Sequence, residues 1–156
     1  MKNIGWVHNA YKSTDVHWGK TQTKIMEMLQ ELGIEQIRFT SLPDRFALEF
    51  VVKIDEISIP RAVRIVIPLK TKPSDEPKKR NGELNTIHRI LLNQIKAKFI
   101  AVGTGLVEFE AEFMAHLIVK DKNGRDTTMG EAILPQYRKN LEDGGGEYNL
   151  LSSGSK

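Results

Sequence analysis

The 156-residue chain has no cysteine, which excludes disulfide staples, thiolate catalysis and cysteine-ligated zinc and fits a reducing compartment. It also lacks any apolar run near the roughly 18 residues that span a bilayer. Residues 1–10 show neither the apolar stretch nor the small-residue cleavage site of a secretory leader. The expectation is a cytoplasmic protein with no membrane partner. Catalytic signatures are missing too. There is no nucleophile elbow and no glycine-rich dinucleotide turn. Gly19-Lys20-Thr21 tempts a phosphate-loop reading, but Thr14 stands where the motif needs glycine and no buried strand precedes it, so the triplet reads as the first turn of a helix. His8 and His17 lack zinc-site spacing. No cofactor or metal is implied, and the chain reads as non-catalytic.

What is present describes one soluble domain. The composition, 40% apolar and 28% charged, suits a chain that buries its own core. Residues 1–14 lack periodicity and read as an irregular arm with Trp6 as an anchor, 15–143 as a single domain, and 144–156 as a flexible tail.

The organising stretch is 83–116. Leu84, Ile87, Leu91, Ile95, Phe99 and Val102 recur at three- and four-residue steps and wrap one apolar stripe along a helix. Asn85, Arg89, Asn93 and Lys96 fall on the opposite side. Gly103 and Gly105 break this helix. Ahead of it, Ser13 or Asp15 is placed to cap a helix running to about Leu32, with Ile25, Met28, Leu29 and Leu32 inward and Gly33 as the stop.

Three strands follow, at about 34–39, 46–54 and 63–69. Phe46, Leu48, Phe50, Val52 and Ile54 alternate with Glu49 and Lys53, as do Val63, Ile65, Ile67 and Leu69 with Arg64; such alternation marks a half-buried antiparallel sheet. Residues 70–82, including Lys78-Lys79-Arg80, read as a mobile polar connector.

Beyond the long helix, Phe109 and Phe113 mark a short one and 116–119 a brief strand, with a turn at Asp121-Lys122-Asn123-Gly124. Thr128 and Glu131 have capping-box spacing ahead of a last helix toward Leu141, in which Pro135 is tolerated only near the first turn. The expected fold is α+β: a three- to four-stranded antiparallel sheet packed against one long helix, with flanking shorter helices.

Glu108, Glu112 and His116 are four apart and would share a face of a continuous helix, a set able to hold a metal or move a proton. A solvated face is the simpler reading. His88, at the edge of the apolar stripe, reads as a core histidine with one hydrogen-bond partner.

The stronger functional signal is basic. Between Arg38 and Lys98, 13 Lys or Arg stand against seven Asp or Glu, whereas from Phe99 onward six stand against nine. Arg38, Lys53 and Arg64 on an open sheet face, Lys78, Lys79 and Arg80 on a loop, and Arg89 with Lys96 on the helix would together track a phosphate backbone. Free aromatics for stacking on single strands are scarce.

Ile95-Lys96-Ala97-Lys98-Phe99, Gly105, the segment Glu108-Phe109-Glu110-Ala111-Glu112-Phe113-Met114-Ala115-His116, Met129-Gly130-Glu131 and Pro135-Gln136 resemble a family of small bacteriophage and bacterial mobile-element proteins. The resemblance spans roughly residues 38–141, although 121–125 is longer than that family's turn. It implies a setting in DNA replication or recombination and transfers no catalytic residue. The order helix, three strands, helix also resembles a double-stranded-RNA-binding domain in outline, without its glycine-lysine cluster. The leading expectation is therefore a nucleic-acid-binding accessory protein with DNA as partner. The alternative is an assembly or adaptor protein, with a homo-oligomer among its forms, acting through an exposed sheet edge or the acidic 108–116 face.

Overall fold

A computed structural model describes residues 9–12, 14–54 and 59–144. Trp6, His8, Ser13 and the tail from 145 lie outside them. The elements are α1 (Trp18–Glu31), β1 (Ile37–Ser41), β2 (Arg45–Val52), β3 (Arg61–Pro68), α2 (Pro77–Gly103), α3 (Phe109–Phe113), a 3₁₀ turn (Met114–His116), β4 (Ile118–Lys120), β5 (Asp126–Thr128) and α4 (Met129–Gly144). The class is α+β, as the alternating and helical periodicities require.

The sheet is an antiparallel meander with β2 in the middle. Its register pairs Phe39 with Leu48 and Leu48 with Ile65, so the alternating apolar residues of all three strands fall on one face. Helices α1 and α2 pack together over that face. Ile25 and Leu29 from α1, Leu91 and Ile95 from α2, and Phe46, Leu48, Phe50, Val63 and Ile65 from the sheet form one buried cluster. Phe109 and Phe113 close its end, stacked with ring centroids 4.7 Å apart.

Several boundaries differ from expectation. Helix α1 is capped by His17, whose Nδ1 accepts the Gly19 N–H at 3.1 Å, and not by Asp15. Gly33 does end it, at φ +79°, but Leu32 is exposed. Strand β2 stops at Val52, the last residue paired across to β3 (with Arg61). Ile54, beyond the ladder, is exposed.

The supposed connector is largely helix. Pro77 occupies the first turn of α2, where its missing N–H costs nothing. Glu83 fastens what remains of the connector by accepting from Lys70 N at 2.6 Å, Thr71 N at 2.9 Å and the Thr71 hydroxyl. Strand β4 pairs with β5 in a separate hairpin, joined to the meander by one bridge between Leu117 and Val63.

The capping box of α4 is formed reciprocally: Glu131 N donates to Thr128 Oγ1 at 3.2 Å and Thr128 N to Glu131 Oε2 at 3.0 Å. Pro135 stands in the second turn, not the first. There it removes one i→i−4 bond.

Candidate functional site

The eight cations named from the sequence do not form one surface. Arg38, Glu49 and Arg64 are cross-strand neighbours in a single row of the sheet's outer face. Glu49 takes both guanidinium groups: Arg38 Nε at 2.6 Å on one carboxylate oxygen and Arg64 Nε at 2.7 Å on the other. Burial alone would raise the Glu49 pKa, but hydrogen bonds from Arg64 and Arg38 hold it below the usual glutamate value. The row reads plus, minus, plus, and its acid stays ionised. Lys53 lies past the end of β2, exposed.

The remaining cations sit on α2, which covers the opposite face of the sheet. Lys79 pairs with Asp75 at 3.6 Å. Arg80 is a structural tie: it donates to the carbonyls of Pro43 and Thr71 at 3.2 Å and of Leu42 at 3.3 Å, clamping the β1–β2 turn to the start of α2.

Lys78, Arg89 and Lys96 remain. Because α2 begins at Pro77, they are spaced by 11 and seven residues on one helix, within about 20° of a common line. That line lies roughly 100–160° around the helix from Leu84, Leu91 and Ile95, which are buried. The single acid of α2, Glu83, is committed to Lys70 and Thr71. Part of this polar side is occupied: the Asn93 amide donates to the Tyr11 hydroxyl at 3.0 Å and Thr86 Oγ1 to the Tyr11 carbonyl at 3.3 Å.

Glu108, Glu112 and His116 are separated by the change from α3 to the 3₁₀ turn. Glu108 is the N-cap of α3. Glu112 is held by Lys98 at 2.8 Å. Burial, then the Lys98 charge, lowers the His116 pKa. Among the described residues no three His, Asp or Glu gather as a metal site. The acidic face is also partly spent on the fold, since Arg61 reaches Glu110 at 2.8 Å and ties β3 to α3.

Sequence reasoning passed over α4 as a surface. It touches the body at its first turn, where a Cβ on Gly130 would lie 2.8 Å from the Ala115 carbonyl oxygen. From Glu131 to Gly144 every residue is exposed. Ile133, Leu134, Tyr137 and Leu141 are exposed by 48%, 45%, 54% and 37%, and their spacing sets them on one side of the helix. Between this stripe and the α3–3₁₀ segment runs a groove of about 330 Å³, walled by Met114, Met129, Ile133 and Leu134 together with Lys98, Glu112 and His116. The signal was there to be found: Ile133, Tyr137 and Leu141 stand four apart, and among the described residues they remain exposed.

No helix among the described residues is long and apolar enough to cross a membrane. No protein-family model, curated protein or solved structure matches this chain.

Proposed function

We propose that this chain is a non-catalytic assembly protein whose α4 pairs with α4 of a second copy. The observation that carries the reading is the uncovered apolar stripe on a 16-residue helix. A helix of this length is marginal in water when nothing packs on it, and contiguous exposed apolar surface marks an interaction site.

A second copy suits the stripe because the stripe is self-complementary. With Tyr137 on a two-fold axis, an antiparallel mate places Ile133 against Leu141 of the other copy and Leu141 against its Ile133. Closed two-fold pairing uses the same patch twice in this way. No charged residue interrupts the stripe between Ile133 and Leu141 on that side. The far end of each helix then extends toward the Met114 side of the other copy's groove. Covering four half-exposed side chains on each helix yields on the order of 8 kcal/mol gross, against an association cost of about 4–15 kcal/mol. The pairing is therefore concentration-dependent and draws on the groove.

Sedimentation across a concentration series tests this. A dimer is expected by about 100 μM, and Tyr137→Asp is expected to abolish it while the circular dichroism spectrum stays unchanged. A wild-type chain that remains monomeric throughout that range overturns the proposal.

A second reading keeps nucleic acid as a partner, narrowed to the α2 line of Lys78, Arg89 and Lys96. Its support is the alignment of three cations on a line that carries no acid, Glu83 being turned to Lys70 and Thr71, in keeping with the accessory role in DNA replication or recombination that the resemblance implies. Binding by three phosphate contacts would weaken steeply with salt, with a slope near −0.9 per contact on duplex DNA. Fluorescence anisotropy on single- and double-stranded DNA measures that slope. Absence of binding at low salt, or a slope unaltered by changing all three residues to glutamine, removes this reading.

A further inference from the structure

Where the start of α1 meets α2 and the outer end of the sheet, three polar atoms are buried with no hydrogen-bond partner among the described residues: Trp18 Nε1, Thr21 Oγ1 and His88 Nε2. Buried polar atoms are almost always paired, so an orphan group needs a physical explanation. His88 is 1% exposed and Thr21 fully buried. A cavity of about 190 Å³ is lined by Trp18 and His88, though not Thr21, together with Gln22, Phe39, Ser41, Phe46 and Leu84. The imidazole is packed by rings, its centroid 4.4 Å from that of Phe46 and 5.6 Å from that of Trp18.

The hydrogen-bond chemistry of this cavity is determined by one contact. His88 Nδ1 lies 2.7 Å from the Leu84 carbonyl, an acceptor only, so Nδ1 carries the proton. Burial lowers the His88 pKa, with the Leu84 carbonyl opposing and the nearby His17 charge assisting. The neutral ring then presents Nε2 as a bare lone pair, while Trp18 Nε1 presents an N–H. A complementary group must donate to the first and accept from the second. A hydroxyl does both. A carboxylate would face the lone pair, an ammonium would face the N–H, and no charged side chain lines the cavity to balance either. The walls of Phe39, Phe46 and Trp18 suit a planar apolar frame.

We propose that this cavity is a binding site for a small neutral aromatic alcohol, with its hydroxyl between His88 Nε2 and Trp18 Nε1 and its ring against Phe39 and Phe46. A cavity of roughly 150 Å³ with apolar walls is enough to take benzene, so one phenol ring fits. Ordered water could satisfy the same atoms, and the experiment must separate the two occupants.

Phenol is the probe, titrated into ¹⁵N-labelled full-length protein carrying Trp6→Phe, so that Trp18 supplies the only indole N–H signal. The signal is expected to move saturably, and a long-range ¹⁵N spectrum of His88 is expected to show the Nε2 resonance shifting with it. Toluene, which matches phenol in shape but lacks the hydroxyl, is expected to bind about tenfold more weakly. Ser41→Phe, on an edge strand at the cavity wall, is expected to abolish the response while leaving the fold intact. No saturable shift up to about 10 mM phenol overturns the site and leaves water as the occupant. Equal binding of toluene overturns the hydroxyl recognition.

Discussion

Helices α2 and α4 are both amphipathic, yet they end in opposite circumstances. Every large apolar side chain on the inner line of α2 has a partner: Leu91 and Ile95 are fully buried between α1 and the sheet. The equivalent line of α4 has none, because the chain that follows β5 has no further sheet or helix to lie upon among the described residues. An apolar stripe therefore states that a helix will be covered. It does not say by what. For α2 the cover is the rest of the same chain; for α4 we propose that it is another copy.

The contrast can be broken or sharpened by mutation. The largest effect is expected at the centre of α2. Leu91→Ala leaves a cavity among Ile25, Leu48 and their neighbours and should cost about 2–5 kcal/mol in denaturant unfolding. Leu141→Ala in α4, measured below the dimerisation range, should fall within about 0.5 kcal/mol of wild type. Equal costs would mean that α4 is covered within the monomer.

Next in size is Glu83→Ala, expected to cost about 1–3 kcal/mol by leaving the Lys70 and Thr71 donors without their acceptor. Burial alone would raise the Glu83 pKa, but bonds from the Thr71 hydroxyl and the Lys70 and Thr71 amides bring it below its usual value. The folded state thus binds a proton at this carboxylate less readily than the unfolded state. The stabilisation is full above the unfolded pKa, near 4.5, and is lost as pH falls through the lower folded value. Thermal melts from pH 7 to pH 3 should show a shallower acid decline in Glu83→Gln than in wild type.

Smaller again is Thr128→Ala, which opens the capping box. It should cost about 0.5–2 kcal/mol of local α4 stability, read as faster amide exchange from Glu131 onward. Amides of α2 should be unaffected, since α4 packs mainly against the 3₁₀ turn and β5.

Much of the meander was legible. Phe46, Leu48 and Phe50 alternate because one face is wet, and the pattern survives folding until the ladder itself ends at Val52. Ile54 could not be placed this way, since where a strand stops depends on its neighbour. The start of α2 was hidden by composition: Lys78-Lys79-Arg80-Asn81-Gly82 looks like a loop, but lysine and arginine are good helix formers and Pro77 sets the first turn. Arg80 was unreadable as a clamp because its acceptors, Leu42 and Pro43, stand 37 or 38 positions away.

The division of the basic patch was within reach. Counting outward from the turn at Leu42–Arg45 pairs residue 38 with residue 49, which puts an acid beside Arg38; bringing Arg64 to the same acid needs the β2–β3 register as well. The buried His88 was expected with one partner, and it has one. The orphaned far side of its ring needed the packing of Trp18 and Phe46 to be seen.

Gly130 carries a consequence for architecture. Beyond its contact with Ala115, α4 projects for about 20 Å, so small displacements at this pivot are magnified at the tip. Any side chain there would push against backbone and tilt the whole rod. In the pair we propose, that missing carbon sets the angle between the two bodies, and Gly130→Ala should yield an assembly of altered shape from subunits that differ only in the tilt of α4.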